Sequence, residues 1–306
     1  IAARVDRGCL NAASCPSSRA CSSRASRPSS RDANMAGDGD SYSVCRTCGE
    51  EWSKGRREFW LTEYDGRWVR YFGSSRVIKD RGRYLAYRGL LFAGMLSILI
   101  SSITIESLDG KGRCWPIYLT HQGALIETVY LGLAFSTTAK AYYYRDVEGT
   151  KDAPERTPWY CRAAWILQGI ALPASFLIFV LYWGLVYDGG KVYPISPWTH
   201  GVNFVLMVLD QAVSNQPMYL VHGLLFMVYA FLYCLWSYIH FASGLKNCDN
   251  ERYIYATLNW KYHGKASKLA AMILLIVAPF FNIVFWCLFF RRVRGVTETP
   301  RAADRV

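Results

Sequence analysis

Charge is missing from long stretches of this 306-residue chain: neither Ala163–Tyr187 nor Leu269–Phe290 contains a single Asp, Glu, Lys or Arg. A helix of a soluble bundle keeps a charged face toward water, so the gap excludes an ordinary soluble helical domain. The usual enzymatic signatures are missing too. No HExxH, GxSxG or Walker sequence occurs, and no Gly-rich loop follows a strand to cradle a phosphate. Cys45 and Cys48 form a CxxC, but no second pair and no suitably spaced histidines follow it. A zinc site needs four such ligands, so no metal and no cofactor is expected. No repeat of fixed period is present. The sequence given does not open on an apolar run with a small-residue cleavage site.

What the chain has instead is apolar length. A helix needs about 20 mostly apolar residues to cross a bilayer. Six segments qualify: Leu85–Ile105, Ile117–Thr138, Ala163–Tyr187, Trp198–Val213, Tyr219–Ser243 and Leu269–Phe290. The fourth is short unless Ile195–Pro197 extends it. Arg88 in the first is close enough to its end to snorkel. The expected fold class is therefore all-α: a polytopic integral membrane protein with a six-transmembrane-helix bundle. The first run is expected to act as the insertion signal.

Lys and Arg in the flanks set orientation. Basic residues crowd residues 54–83, the stretch from Lys140 to Arg162, and the tail at Arg291, Arg292 and Arg294. With six spans all three fall on one side, which places both termini in the cytosol. Lys246–Lys268 is also basic yet falls on the outer side, against the rule. The net charge of +12 needs no nucleic acid, since basic flanks meet anionic lipid. The expected partner is the lipid bilayer, with a lipid as the candidate ligand. Protein partners are not specified. The plasma membrane and an endomembrane both fit.

Residues 1–40 are rich in Ser, Arg and Ala and hold almost no large apolar side chains, so they cannot offset their ordering entropy. They are expected to be disordered. Met35 marks one candidate start, which would make residues 1–34 upstream sequence; an Arg/Ser-rich targeting peptide is the other reading. Residues 41–84 mix aromatics with charge and read as a cytosolic juxtamembrane segment. Residues 85–292 form the membrane domain and 293–306 a cytosolic tail. Gly189-Gly190 and Pro194/Pro197 mark a tight outer turn, and Ser214–Pro217 a tight inner one. The fourth and fifth helices are thus an antiparallel hairpin.

Polar side chains in hydrocarbon face a protein interior or a cavity. His200, Asn203 and Asp210, spaced i, i+3 and i+10, share one helix face. Thr120 and His121 open the second helix at the same depth, with Glu127 two turns below Thr120. Thr120 beside His200 reads either as a nucleophile with its general base, Asn203 donating to the oxyanion, or as a hydrogen-bonded clamp between helices. Asp210 and His222, with Gln168 nearby, read as a pair pinning the inner turn or passing protons. Cys114 and Cys248 both fall in outer loops. An inter-loop disulfide is one reading there, while Cys234 and Cys287, inside helices, act as small apolar residues.

The residues Tyr118–Thr120, Tyr182-Trp183, His200–Asn203, Asp210, Pro217, Tyr229 and Ile254–Trp260 together resemble the Rolling stone family, over residues 84–292. That resemblance implies six spans, in a family whose founding member is implicated in myoblast fusion; the first functional reading is a non-enzymatic role in membrane organisation, cell–cell contact or fusion. The family is in turn similar to the androgen-induced family of membrane hydrolases, which cleave fatty-acid esters of hydroxy fatty acids with a Thr and a His. By that likeness Thr120 matches the nucleophile, while Asn203 stands where the hydrolases keep their catalytic His. An amide cannot accept and return a proton near neutral pH. His200 is the candidate substitute, about 60° round the helix. The competing functions are thus a non-enzymatic membrane protein, a lipid-ester hydrolase using Thr120 and His200, and a transporter. Transport fits least, because no pair of broken helices or repeat symmetry is evident.

Overall fold

Backbone polar groups have no water to bond inside a bilayer, so a chain of long apolar runs satisfies them within helices. The computed structural model, which describes residues 68–146 and 156–297, is all-α apart from one isolated bridge between Ser75 and Ser214. The Cys45/Cys48 pair, Met35 and the aromatics of residues 52–60 lie outside the described residues.

A short helix α1 (Trp68–Phe72) precedes the bundle. Its aromatics hold it: Trp68 meets Tyr144 and Tyr160 edge-on at 5.9 and 6.2 Å, and Phe72 meets Trp165 at 5.4 Å. The strap that follows is tied to the far end of α5 (Asn203–Val213). Arg76 donates to the carbonyls of Gln211 (2.9 Å) and Ser214, oxygens that a helix C-terminus leaves orphaned.

Helix α2 (Arg81–Leu108) is capped by Asp80, whose carboxylate accepts from the Arg83 N–H at 2.7 Å. A turn through Gly110, at φ +73°, needs a residue that tolerates the left-handed region. A 3₁₀ turn, Gly112–Ile117, then leads into α3 (Leu119–Asp146). Helix α4 (Trp159–Leu181) continues as a π-helical turn, Tyr182–Val186. A second π turn, Trp198–Val202, opens α5. Helix α6 (Gly223–Ala242) follows a 3₁₀ turn, and a third π turn, Ile273–Val277, joins α7 (His263–Met272) to α8 (Ala278–Thr297).

Four helical stretches are long and apolar enough to cross a membrane: Arg81–Leu108, Trp159–Val186, Leu220–Ala242 and Ala256–Phe289. The stretch containing α4 is 61% buried over its most apolar window, against 28–39% for the others, and α3, α5, α6 and α8 pack against α4. Helix α3 has 28 residues, ample length, but its first turns are polar. Helix α5 with its π turn reaches only about 24 Å at 1.5 Å per residue. The surface is inverted relative to a soluble protein. Leu125 and Val129 of α3, Val205 and Leu209 of α5, and Leu275 and Ile276 are exposed, while Glu127, Asp210 and Arg88 are sealed inside.

Arg88 therefore does not snorkel. Helix α2 starts at Arg81, so Arg88 sits two turns in and faces the bundle, 1% exposed. The two loop cysteines are joined: Cys114 and Cys248 form a disulfide across 134 residues of sequence.

Candidate functional site

Helices α3 and α5 run side by side in the same direction, and their polar residues meet in three tiers. The first tier lies at the disulfide-bonded end. Thr120 Oγ1 is 3.5 Å from His200 Nδ1, the outer limit of a hydrogen bond. The His200 ring lies flat on Tyr182, 3.6 Å between centroids, and Trp183 donates its indole N–H to the His200 carbonyl at 3.2 Å. The Tyr255 hydroxyl reaches the Thr120 side chain. His121 takes no part. Its Nδ1 lies 2.7 Å from the Trp115 carbonyl, which only accepts, so that nitrogen carries the proton and the ring stacks on Trp115. The orphaned Leu119 N–H at the start of α3 donates to Tyr233 Oη at 3.1 Å.

The second tier is Glu127 and Asn203, both 0% exposed. Asn203 Nδ2 donates to Glu127 Oε1 at 3.5 Å. In the third tier Asp210 pairs with Arg88 at 2.8 Å and accepts from Tyr130 Oη at 2.5 Å. Arg88 Nε donates to Tyr84 Oη at 2.8 Å. Gln211 donates to Tyr130 (3.2 Å) and accepts from Gln168 (2.5 Å), which accepts from Gln216 (2.7 Å). Gln168 thus joins this cluster, as the sequence suggests.

His222 does not. The expected Asp210–His222 pair is replaced by Asp210–Arg88, because a guanidinium both neutralises the carboxylate and bonds it. His222 instead meets Trp165 edge-on at 5.0 Å and lies 5.6 Å from Tyr219. Its Cβ backs onto Gly169, where an added methyl would come within 2.8 Å. Trp165 in turn donates to the Pro217 carbonyl at 2.7 Å, fixing the turn. Arg88, Tyr84, Tyr130 and Gln211 are members that sequence reading misses. The available signal was Arg88 itself, an ionisable residue within an apolar run.

A cavity of about 80 Å³ adjoins the first tier. At 10–15 Å³ per water-sized group it has room for roughly six. Its wall is mostly apolar: Ala174, Leu177 and Ile178 of α4, Phe226 and Ala230 of α6, and Leu269 of α7. Thr120, His200 and Tyr255, which meet through Thr120, bring polar groups to it, and Tyr229, Tyr233 and Thr257 also line it. All three π turns contribute to the lining, through Tyr182, His200 and Ile273. Such turns recur at functional sites because they re-aim side chains. Away from the bundle, Lys111 donates to Asp249 at 3.2 Å, and that bond raises the Lys111 pKa.

An apolar exterior, an ion pair sealed among helices and helices of spanning length define a multi-pass helical membrane protein. The family model described as Protein rolling stone matches residues 45–302, and the chain belongs to the Rolling stone family. It is 24% identical over 239 residues to Protein rolling stone of Drosophila melanogaster, covering 73% of this chain and 84% of that protein. No solved structure matches.

Proposed function

We propose that this protein is a six-span membrane protein, both termini cytosolic, whose cleft holds an acyl chain of a membrane lipid, and that it serves membrane organisation or cell–cell contact without catalysis. The carrying observation is the cleft: a mostly apolar wall that includes the polar residues Thr120, His200 and Tyr255, in contact through Thr120. A hydrocarbon chain matches the wall, and a carbonyl or ester matches those polar residues. The sixfold crossing is supported by the outward faces of α3 and α5, apolar at Leu125, Val129, Val205 and Leu209.

A second reading, an ester hydrolase, is favoured by one distance, the 3.5 Å between Thr120 Oγ1 and His200 Nδ1. Thr120 Oγ1 would attack the ester carbonyl as its proton passes to His200. The leaving alkoxide would take that proton, and water would then free the acyl group from Thr120. No carboxylate bonds His200 among the described residues, so the imidazolium would lack the usual support.

The two readings separate by experiment. Protein purified in mild detergent is expected to carry co-purifying lipid, detected by mass spectrometry, and Ala230→Phe, which fills the cleft, is expected to reduce it several-fold. Equal lipid in both proteins removes the acyl-chain reading. A serine/threonine-directed fluorophosphonate probe decides catalysis: labelling lost in Thr120→Ala establishes the hydrolase, and no labelling leaves the non-catalytic reading standing.

A further inference from the structure

The second tier holds a carboxyl with no countercharge. Glu127 is 0% exposed, and its Oε2 has no hydrogen-bond partner; Asn203 is 0% exposed, and its Oδ1 has none either. The one bond between them runs from Asn203 Nδ2 to Glu127 Oε1. The basic groups nearby are committed elsewhere. On α2, Arg88 belongs to Asp210. In the π turn that opens α5, His200 faces Thr120. Helix α4 presents Ile178, which crowds Gly123 beside Glu127. Helix α6 presents Tyr229, a phenol that Glu127 influences electrostatically and whose hydroxyl is also unpartnered.

An ionised carboxylate sealed from water without a cation is among the most costly arrangements a protein can hold; such a group neutralises instead. A proton on Oε2 supplies what both orphaned atoms lack. A carboxylic acid and a primary amide then form a ring with two hydrogen bonds, Oε2–H donating to Asn203 Oδ1 and Nδ2–H donating to Oε1. We propose that Glu127 and Asn203 form a proton-binding site, with Glu127 carrying its proton as a neutral acid locked to the Asn203 amide. The ligand is a proton, and this proposal does not depend on what the cleft holds. It also gives Asn203 a positive role. An imidazole there would take the proton and leave a buried ion pair, whereas an amide shares it.

The test is infrared spectroscopy of the full-length protein in detergent at neutral pH, together with thermal unfolding against pH. A protonated-carboxyl C=O band, absent in Glu127→Gln, is expected. Glu127→Gln keeps the ring, since its amide donates to Asn203 Oδ1, so it should fold and unfold near the wild-type temperature at neutral pH. A group that binds its proton more tightly when folded loses that stabilisation as pH rises. The wild-type midpoint should therefore fall more steeply with pH than that of Glu127→Gln from about pH 5, just above the carboxyl's unfolded value, up to the pH at which folded Glu127 ionises. Should Glu127→Gln unfold early, Glu127→Met keeps the band measurement open. A spectrum with no Glu127-dependent acid band, superimposable pH profiles, or a midpoint that rises with sodium ions instead would each overturn the proposal.

Discussion

Arg88 and Asp210 show what a single residue does in this bundle. Each is sealed, 1% and 0% exposed, and each would be an uncompensated charge alone. Breaking a buried pair by removing one partner destabilises by about 3–5 kcal/mol, while replacing both with apolar groups is often near neutral. Arg88→Ala is expected to lower stability by that amount in denaturant unfolding in detergent. Arg88→Met combined with Asp210→Leu should recover most of it. Additive losses in the double variant would mean the pair is not the unit. Asn203 and Asp210 were legible as one face because α5 keeps a regular helical period, whereas His200 lies in the π turn before it. Their partners were not legible, since one sequence states what a face contains and never what meets it. Thus Arg88 reads as a snorkelling end residue, and His222 reads as the partner that Arg88 displaces.

The helices themselves were legible from the apolar runs, and the connections were less so. The three π turns, at Tyr182, Trp198 and Ile273, leave no mark on an apolar pattern, because one extra residue in a turn shifts the face without changing the composition. The cleft they line was therefore hidden. The disulfide sits between these cases: both cysteines fell in loops, but the pairing needed the fold. It clasps the Gly112–Ile117 turn to the loop that carries Tyr255, and Tyr118 meets Tyr255 at 5.8 Å beneath it. A cross-link of this span restricts the unfolded chain and stabilises by roughly 2–4 kcal/mol. Cys114→Ser and Cys248→Ser should each lose that much, and the double variant should lose no more than either. Wild-type protein under reducing conditions should match them. Undiminished stability in all three would assign the clasp to the tyrosines instead.

At the scale of the whole molecule, two rules disagree about the loop between α6 and α7. Its basic residues favour the cytosol; its disulfide favours an oxidising compartment. The disulfide carries more weight, because positive charge biases insertion statistically, whereas a cysteine pair kept in the cytosol stays reduced. Lys246 also spends its charge locally, donating to Asn250, and Lys111 pairs with Asp249. Under the six-span topology proposed above, an exoplasmic disulfide end puts the Ser214–Pro217 turn on the cytosolic side. The Gly189-Gly190 turn then joins the disulfide outside. The weak link is α5, which even with its π turn is about 24 Å long, against a hydrocarbon core of about 30 Å. Local bilayer thinning is the physical way to absorb the difference, at fractions of a kcal/mol per Å. Short epitope tags placed at 189–190 and at 215 in intact cells decide this. The first should be reached by antibody without permeabilisation, and the second only after it. If both are reached from the same side, α5 does not cross, the six-span topology fails, and the polar column becomes the floor of a re-entrant segment.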